Sequence, residues 1–346
     1  MGLSGAWTHA DETSKPIYVY APGGSLSLSG TLLLFDYIPT GLSAKQKFEV
    51  YAFMLNVDAA TEDKQTGMHA QARFRDSKLR PFFVSNDWFQ ELYIYRKTPV
   101  ADIHVGKFLR KVGILWDDSF FGNVQYFNGL KLNPDYGAEA VGSKNLGGNF
   151  SADYSAQYFP NNDNVDGALN GRDVESDPNA QMHNASTVRI VPTWKFCQKS
   201  SLAIGFSGLN EQILRPAANS FYINQVAGDA TITVGPSVSY VEVLKQNGEL
   251  DDANHPLSRP GYDTATYLLA GTRYQVLKWL NARMNYSQAL YKGQNAREEE
   301  VVPGLVFTLD KHNFIMFEYD YWKLFPKVGA DVLIDRSYNL VFGYSF

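Results

Sequence analysis

Ser337-Tyr338-Asn339-Leu340-Val341-Phe342-Gly343-Tyr344-Ser345-Phe346 alternates strictly with a period of two. Tyr338, Leu340, Phe342, Tyr344 and Phe346 share one parity. Ser337, Asn339, Val341, Gly343 and Ser345 share the other. Successive side chains of an extended strand point to opposite faces, so this is a strand with one aromatic-rich face and one small, mostly polar face. Such an apolar face needs burial against another sheet or against lipid.

The same pattern recurs upstream. Segment 25–36 carries Leu26, Leu28, Leu32 and Leu34 on one parity. Segment 150–159 sets Phe150, Ala152, Tyr154, Ala156 and Tyr158 against Ser151, Asp153, Ser155 and Gln157. Segment 187–196 sets Val188, Ile190, Pro192, Trp194 and Phe196 against Thr187, Arg189, Val191, Thr193 and Lys195. Roughly sixteen segments from Ser25 onward have this character, an even number as in single-chain bacterial barrels. No long apolar helix is present to cover their apolar faces, and no stretch approaches the ~20 apolar residues of a transmembrane helix.

The connections carry an independent pattern. Counted from the first of these strands, those after even-numbered strands are short: Thr98-Pro99-Val100-Ala101, Gln198-Lys199, Gly235-Pro236 and Asp310-Lys311-His312. Those after odd-numbered strands read as long and polar, as in 160–186, 210–223, 246–263 and 325–336. Short turns on one rim and long loops on the other describe an outer-membrane barrel, and a soluble sandwich has no reason to keep that phase. Segment 59–67 is too long for the rule. Pro192 and Pro303 fall inside strand-like runs, which predicts either bulges or displaced boundaries, because proline cannot donate to the ladder.

Composition agrees with a membrane wall. Charged residues make up 19% of the 346, below the soluble norm of roughly 25%. Aromatics reach 14%, led by 22 Phe and 21 Tyr, as expected where strands meet a membrane interface. The net charge of −5 argues against a nucleic-acid partner. Cys197 is the single cysteine, so no internal disulfide forms, and its place in Phe196-Cys197-Gln198-Lys199 reads as a spectator in a turn. No N-terminal signal peptide is visible; Met1-Gly2 reads as a start placed on a mature chain.

Segment 109–135 is a connection rich in aromatics, with Trp116, Phe120, Phe121, Tyr126 and Phe127. A solvated loop does not normally carry so many, so they must pack on something. Inside a barrel the natural place is the inner wall, with the loop folded into the lumen. The alternatives are a loop that covers the mouth or meets a neighbouring subunit.

The strand count, the phase of the connections, this third long loop and the terminal Tyr344-Ser345-Phe346 together resemble the Gram-negative porin family over nearly the whole chain. The resemblance is architectural; only Tyr344 and Phe346, similar to the family's membrane-assembly signal, are local. It implies a transmembrane antiparallel β-barrel of about sixteen strands. The third long loop would constrict the pore, with Trp116, Phe120 and Phe121 as anchors. Asp117 and Asp118 on that loop would face Arg73 and Arg75, which share the polar parity of the third strand with His69 and Gln71. A homotrimer is implied by the resemblance alone.

Further charges lie on the polar faces of their strands: Glu139, Asp153, Arg189, Arg273 and Arg283 among them, as well as Glu300, Glu318 and Asp320. An Arg or Lys on the lipid side at mid-membrane costs roughly 2–4 kcal/mol, so this placement supports a wet interior. Both signs occur, so no single-sign ladder for a dedicated anion or cation pore is evident. Residues 1–24 are expected to be a partly ordered or periplasmic segment, and 25–346 a single barrel with the constriction loop at 109–135. The expected location is the bacterial outer membrane, with short turns periplasmic and long loops outside. The expected partners are outer-membrane lipid and small hydrophilic solutes.

The function expected is passive diffusion. A substrate-specific channel is the first rival, with Trp116, Tyr126, Phe127 and Tyr136 as a stacking track for sugars. A barrel enzyme is the second, but no Ser-His-Asp or paired-carboxylate spacing supports one. No metal or cofactor is expected, since there is no HExxH and no cysteine cluster. A soluble β-sandwich or solenoid is the third rival, and no repeat of constant period supports the latter.

Overall fold

The computed structural model describes residues 17–21, 23–40, 45–75, 87–114, 119–120, 123–127, 134–162, 181–215, 218–247, 264–291, 296–325 and 332–346. The first strands are β1 (Ile17–Ala21), β2 (Gly24–Pro39), β3 (Lys47–Thr61), β4 (Thr66–Phe74), β5 (Asp87–Lys97) and β6 (Asp102–Leu109). A one-turn helix, α1 (Val124–Phe127), precedes β7 (Pro134–Gly147), β8 (Phe150–Asn162), β9 (Gln181–Cys197) and β10 (Ser200–Arg215). Then follow β11 (Ala218–Val234), β12 (Ser237–Asn247), β13 (Ala265–Leu277) and β14 (Leu280–Tyr291). The last are β15 (Arg297–Thr308), β16 (Asn313–Phe325) and β17 (Leu333–Ser345).

Each strand from β2 to β17 pairs antiparallel with its sequence neighbours, and β17 returns to pair with β2, so sixteen strands close into a ring. Closure leaves no free edge within the ring. At the seam Ser337 lies opposite Pro39 and Ser345 opposite Thr31. Beyond it Phe346 and Gly30 exchange both backbone hydrogen bonds, at 3.0 and 3.1 Å. The seventeenth strand, β1, lies in the 1–24 segment and pairs with the start of β2, Ile17 opposite Leu28. It therefore extends the line of β17 along the same edge of β2.

The phase of the connections follows the sequence reading, with two corrections. β10 runs to Arg215 and β11 starts at Ala218, so the long polar loop expected at 210–223 is instead strand. Likewise β3 ends at Thr61 and β4 begins at Thr66, so 59–67 contains a short turn. There the Thr61 hydroxyl donates to Asp63 at 2.6 Å, and the Gln65 amide donates to the same carboxylate at 2.9 Å. In both places strands run further than their alternation because polar side chains near a membrane rim can face either way. The turn after β11 needs Gly235, whose φ of 56° lies in the left-handed region.

The prolines mark neither bulges nor strand ends. Pro192 pairs with Ala152 on β8, while on its other edge the β9–β10 register holds from Ala203–Thr193 to Phe206–Ile190. Pro303 sits opposite Met284, and the β15–β16 register is the same at Val301–Tyr321 and Gly304–Glu318. No pair to the second neighbour is formed at either proline, which is the local result of the missing N–H. A true bulge occurs in β3. Leu33 pairs with Ala52 and Leu34 with Val50, leaving Tyr51 as the extra residue.

Burial is inverted relative to a water-soluble protein. Exposed residues include Val188, Ile190, Phe206, Val226, Val241, Val243, Leu340 and Tyr344, all on one parity of their strands. Buried residues on the opposite parity include Arg189, Ser207, Asp229, Glu242, Arg283, Glu300, Glu318 and Asn339. In a closed ring the concave face is the occluded one, so the charged groups point in and the exposed apolar groups point out, while apolar patches such as Leu33, Phe35 and Met54 also line the inside. An outside of this kind is stable only in hydrocarbon.

Candidate functional site

The inner wall divides into charged and apolar sectors. On β3 to β7, residues directly opposite one another across the strands form a chain of titratable groups. Asp58 is opposite His69, and His69 is opposite Tyr93. His69 Nδ1 lies 2.6 Å from Asp58 and its Nε2 3.3 Å from Glu91, so two carboxylates hold one imidazole. Tyr93 stacks on the His104 ring at 4.6 Å and 11°. His104 Nδ1 lies 3.0 Å from Glu139, whose other oxygen meets the Lys111 ammonium. Glu139 also accepts from Gln157 at 3.1 Å.

On β9 to β16 wall cations are neutralised across an intervening strand, β9 to β11 and β14 to β16. Arg189 binds Asp229 in a fork, at 2.7 and 3.0 Å. Arg283 donates to Glu318 at 2.7 Å. Arg110, just past β6, bridges Asp135 at 2.7 Å and Glu211 at 2.5 Å. These groups are almost wholly buried, where an unpaired charge is expensive, and pairing with good geometry offsets the desolvation cost.

The same wall receives the backbone of residues 109–114, 119–120 and 123–127. The Leu109 carbonyl accepts from Gln157 at 2.8 Å, and the Lys111 amide donates to Gln157 at 2.8 Å. The Gly113 amide donates to Ser207 on β10 at 2.8 Å, and the Ile114 amide to Glu242 on β12. The Phe120 amide donates to Glu318 on β16 at 2.8 Å, and the Val124 amide to Ser287 on β14 at 3.0 Å. These loop donors have no ladder of their own, so side chains of the wall supply the acceptors. Apolar side chains of the segment fill two patches of the wall. Val112 and Val124 pack among Leu209, Leu244, Tyr267 and Tyr291. Phe120 packs with Leu33, Phe35, Met54 and Met316, its ring 5.0 Å from Phe35 and 4.5 Å from Tyr51, the bulged residue.

Several residues singled out in the sequence occupy this wall. His69, Glu139, Arg189 and Arg283 are paired there as described. Arg273 lies opposite Arg283 on β13, and Asp153 lies opposite Val191 on β8. Arg73 keeps the inner parity of β4, opposite Met54, and Arg75 is buried just beyond that strand. Phe120 is buried against the wall, whereas Asp117, Asp118, Trp116 and Phe121 lie outside the described residues. Tyr344 and Phe346 lie on the outer parity at the seam. Arg110, Lys111, Asp135, Glu211 and Glu242 escaped the sequence reading. Their only sequence signal is parity, and a single acid on a polar face looks like any solvated wall residue. Among the described residues, no group of three His, Cys, Asp or Glu side chains is placed to hold a metal ion.

OmpF of Salmonella typhi, solved in complex with daunomycin, superposes with a TM-score of 0.70 at 12% identity, over 95% of this chain and 100% of that one. The chain has the fold of the outer-membrane porins. The porin architecture is shared with the outer membrane channel DcaP of Acinetobacter baumannii, at a TM-score of 0.66 and 12% identity, over 96% of this chain and 100% of that one. Outer-membrane OmpT of Vibrio cholerae gives 0.65 and 12%, over 95% of this chain and all 100% of its own. Neither a family model nor a curated protein matches the sequence. The porin likeness is thus one of chain path, carried by strand pairing and burial rather than by shared residues.

Proposed function

We propose that this chain is an outer-membrane channel through which small hydrophilic solutes and ions diffuse passively. The observation that carries the proposal is the inverted burial of the ring: polar and charged side chains inside, Val, Ile, Leu, Phe and Tyr outside. A water-filled interior follows from the first half and a hydrocarbon surround from the second. Short turns face the periplasm and long connections face outward. No bond is made or broken in such a channel, so no catalytic group is assigned.

Segment 109–135 narrows the lumen in this reading. Its support is the series of amide contacts to β10, β12, β14 and β16, strands spread along the far side of the ring from β6. The filter is Asp117 and Asp118 on the loop, facing Arg73 and Arg75 on the wall. Opposite charges across a narrow, low-dielectric passage set up a transverse field that sorts solutes by charge and dipole. The assembly is a homotrimer, as in the trimer form of OmpT.

Purified protein in a planar lipid bilayer tests this directly. Stepwise conductance that rises in proportion to bulk salt is the expected result. Saturable block by one class of sugar, phosphate or small acid would replace free diffusion with a dedicated substrate site. Absence of any conductance from folded, inserted protein would overturn the channel.

A further inference from the structure

Every ring strand from β3 to β16 is one arm of a hairpin whose turn, on the rim of the short turns, has two to four residues. A turn that tight fixes the register of the two strands it joins. The partner of β2 in such a hairpin is β1, since only two residues separate Ala21 from Gly24. β17 is the exception. It reaches β16 only through the connection 326–332, and it meets β2 at the seam with no covalent link. The strand that closes the ring is thus the one whose register no tight turn sets.

Side-chain pattern sets that register only weakly. A slip of one residue would turn the lipid face of β17 inward, but a slip of two keeps every side chain on its own face. Below the seam β2 reads Ser25-Leu26-Ser27-Leu28-Ser29, a repeat of period two. Phe342 lies opposite Leu34, and Tyr344 opposite Leu32. Moved two residues toward the short turns, Phe342 would meet Leu32 and Phe346 would meet Leu28. Ser345 would exchange Thr31, whose hydroxyl lies 3.1 Å from its own, for Ser29. Aromatic rings would still face leucine, and a hydroxyl would still face a hydroxyl. Two contacts favour the observed register, Phe346 over Gly30 and Phe314 over Gly343. Neither obstructs the path to the slipped one.

β1 does obstruct it. β1 and β17 lie on the same edge of β2 and run in the same direction, one behind the other. Phe346 pairs with Gly30 through both backbone bonds, at 3.0 and 3.1 Å, and Ile17 is opposite Leu28. Only Ser29 lies between them on that edge. The place that Phe346 would take after a slip of two is therefore the place of Ile17, and taking it means stripping β1 from β2. Pairing from Ile17–Leu28 to Ala21–Gly24 holds β1 there, and the turn relies on Gly23, whose φ of 90° lies in the left-handed region.

We infer that β1 is a register stop for the closing strand: its backbone occupies the stretch of β2 into which β17 would otherwise slide. The stop belongs to the wall and holds whether or not the ring conducts. Disulfide trapping in the full chain, refolded into vesicles and oxidised with Cys197→Ser as background, tests it. Leu34→Cys/Phe342→Cys reports the observed register and Leu32→Cys/Phe342→Cys the slipped one, since diagonal positions on paired strands lie about 7–8 Å apart, too far to bridge. The full chain should form the first bond and not the second. Two variants remove the stop: deletion of residues 2–21, and Tyr18→Pro/Val19→Pro, in which whichever of the two amides faces β2 is lost. In each, the yield of the second bond should rise roughly tenfold over the full chain. The first bond alone in both variants would overturn the inference, as would the second bond in equal yield with and without β1. Should the deletion fail to fold, the double substitution decides. If neither variant gives a folded barrel, β1 is a requirement for folding rather than a stop, and the inference falls as well.

Discussion

One carboxylate oxygen of Glu318 accepts both the Phe120 amide, at 2.8 Å, and the Arg283 guanidinium, at 2.7 Å. A single wall residue thus fixes a segment 198 positions away in sequence and neutralises a buried cation on β14. Glu318→Ala removes both partners at once. Stranding a buried charge typically costs about 3–5 kcal/mol, so the folded barrel should melt at lower temperature in detergent and open-channel current should become noisier. A quiet channel with unchanged thermal stability would show that neither contact matters.

Phe206 is 57% exposed and the adjacent Ser207 only 7%. If the exposed face met water, Phe206→Lys would be nearly neutral. Against hydrocarbon it should destabilise the folded barrel by roughly 2–4 kcal/mol at mid-membrane. Urea titration of folding into phospholipid vesicles measures the difference, and a change below 0.5 kcal/mol on the order of surface substitutions would refute the lipid contact.

The proposed filter makes a signed prediction. Asp117→Asn/Asp118→Asn should shift the zero-current potential in a salt gradient toward anions, and Arg73→Gln/Arg75→Gln toward cations. Identical reversal potentials for wild type and both variants would remove these four residues from selectivity.

At the seam, a Cβ on Gly30 would come within 2.6 Å of the Phe346 ring and 2.8 Å of the Met54 carbonyl. Gly30→Val must displace that ring from the edge it occupies. The fraction of heat-modifiable, folded barrel on SDS gels should fall severalfold, while Gly235→Asn, a residue type that tolerates the left-handed turn, should leave it nearly intact.

In the turn after β15, Asp310 accepts the His312 amide at 2.7 Å and the Asn313 amide at 2.8 Å. These bonds favour the carboxylate and hold its pKa below the usual 3.8. A depressed folded-state value means that the contribution is fully present above the unfolded pKa and is lost as pH falls through the lower folded one. Acid unfolding monitored below pH ~4 should therefore lose part of its steepness in Asp310→Asn. An unchanged acid limb would assign it to other carboxylates.

The wall was legible because its code is local. Alternation in 337–346 and 187–196 names the lipid face, and the parity of Arg189, Arg283 and His69 names the polar one. Strand pairing then follows from closing short turns. The extra strand β1 was not legible, since Ile17-Tyr18-Val19-Tyr20-Ala21 is too short and too uniformly apolar to show a period. Nor were the loop's partners. Ile114 and Glu242 are 128 residues apart, and parity says only that Glu242 faces inward, not what arrives there. Tyr51 shows the same limit: the bulge that turns it toward Phe120 depends on the register of two strands, which no single strand encodes.

Amide contacts from one segment to β10, β12, β14 and β16 also have a mechanical meaning. A bare cylindrical sheet bends easily from a circle into an ellipse, because the hydrogen bonds between strands resist stretching far better than flexing. Ties that reach from β6 to four separate staves act as a brace. Pressure from the surrounding bilayer then deforms the cross-section only by first pulling Gly113, Ile114, Phe120 or Val124 off its anchor.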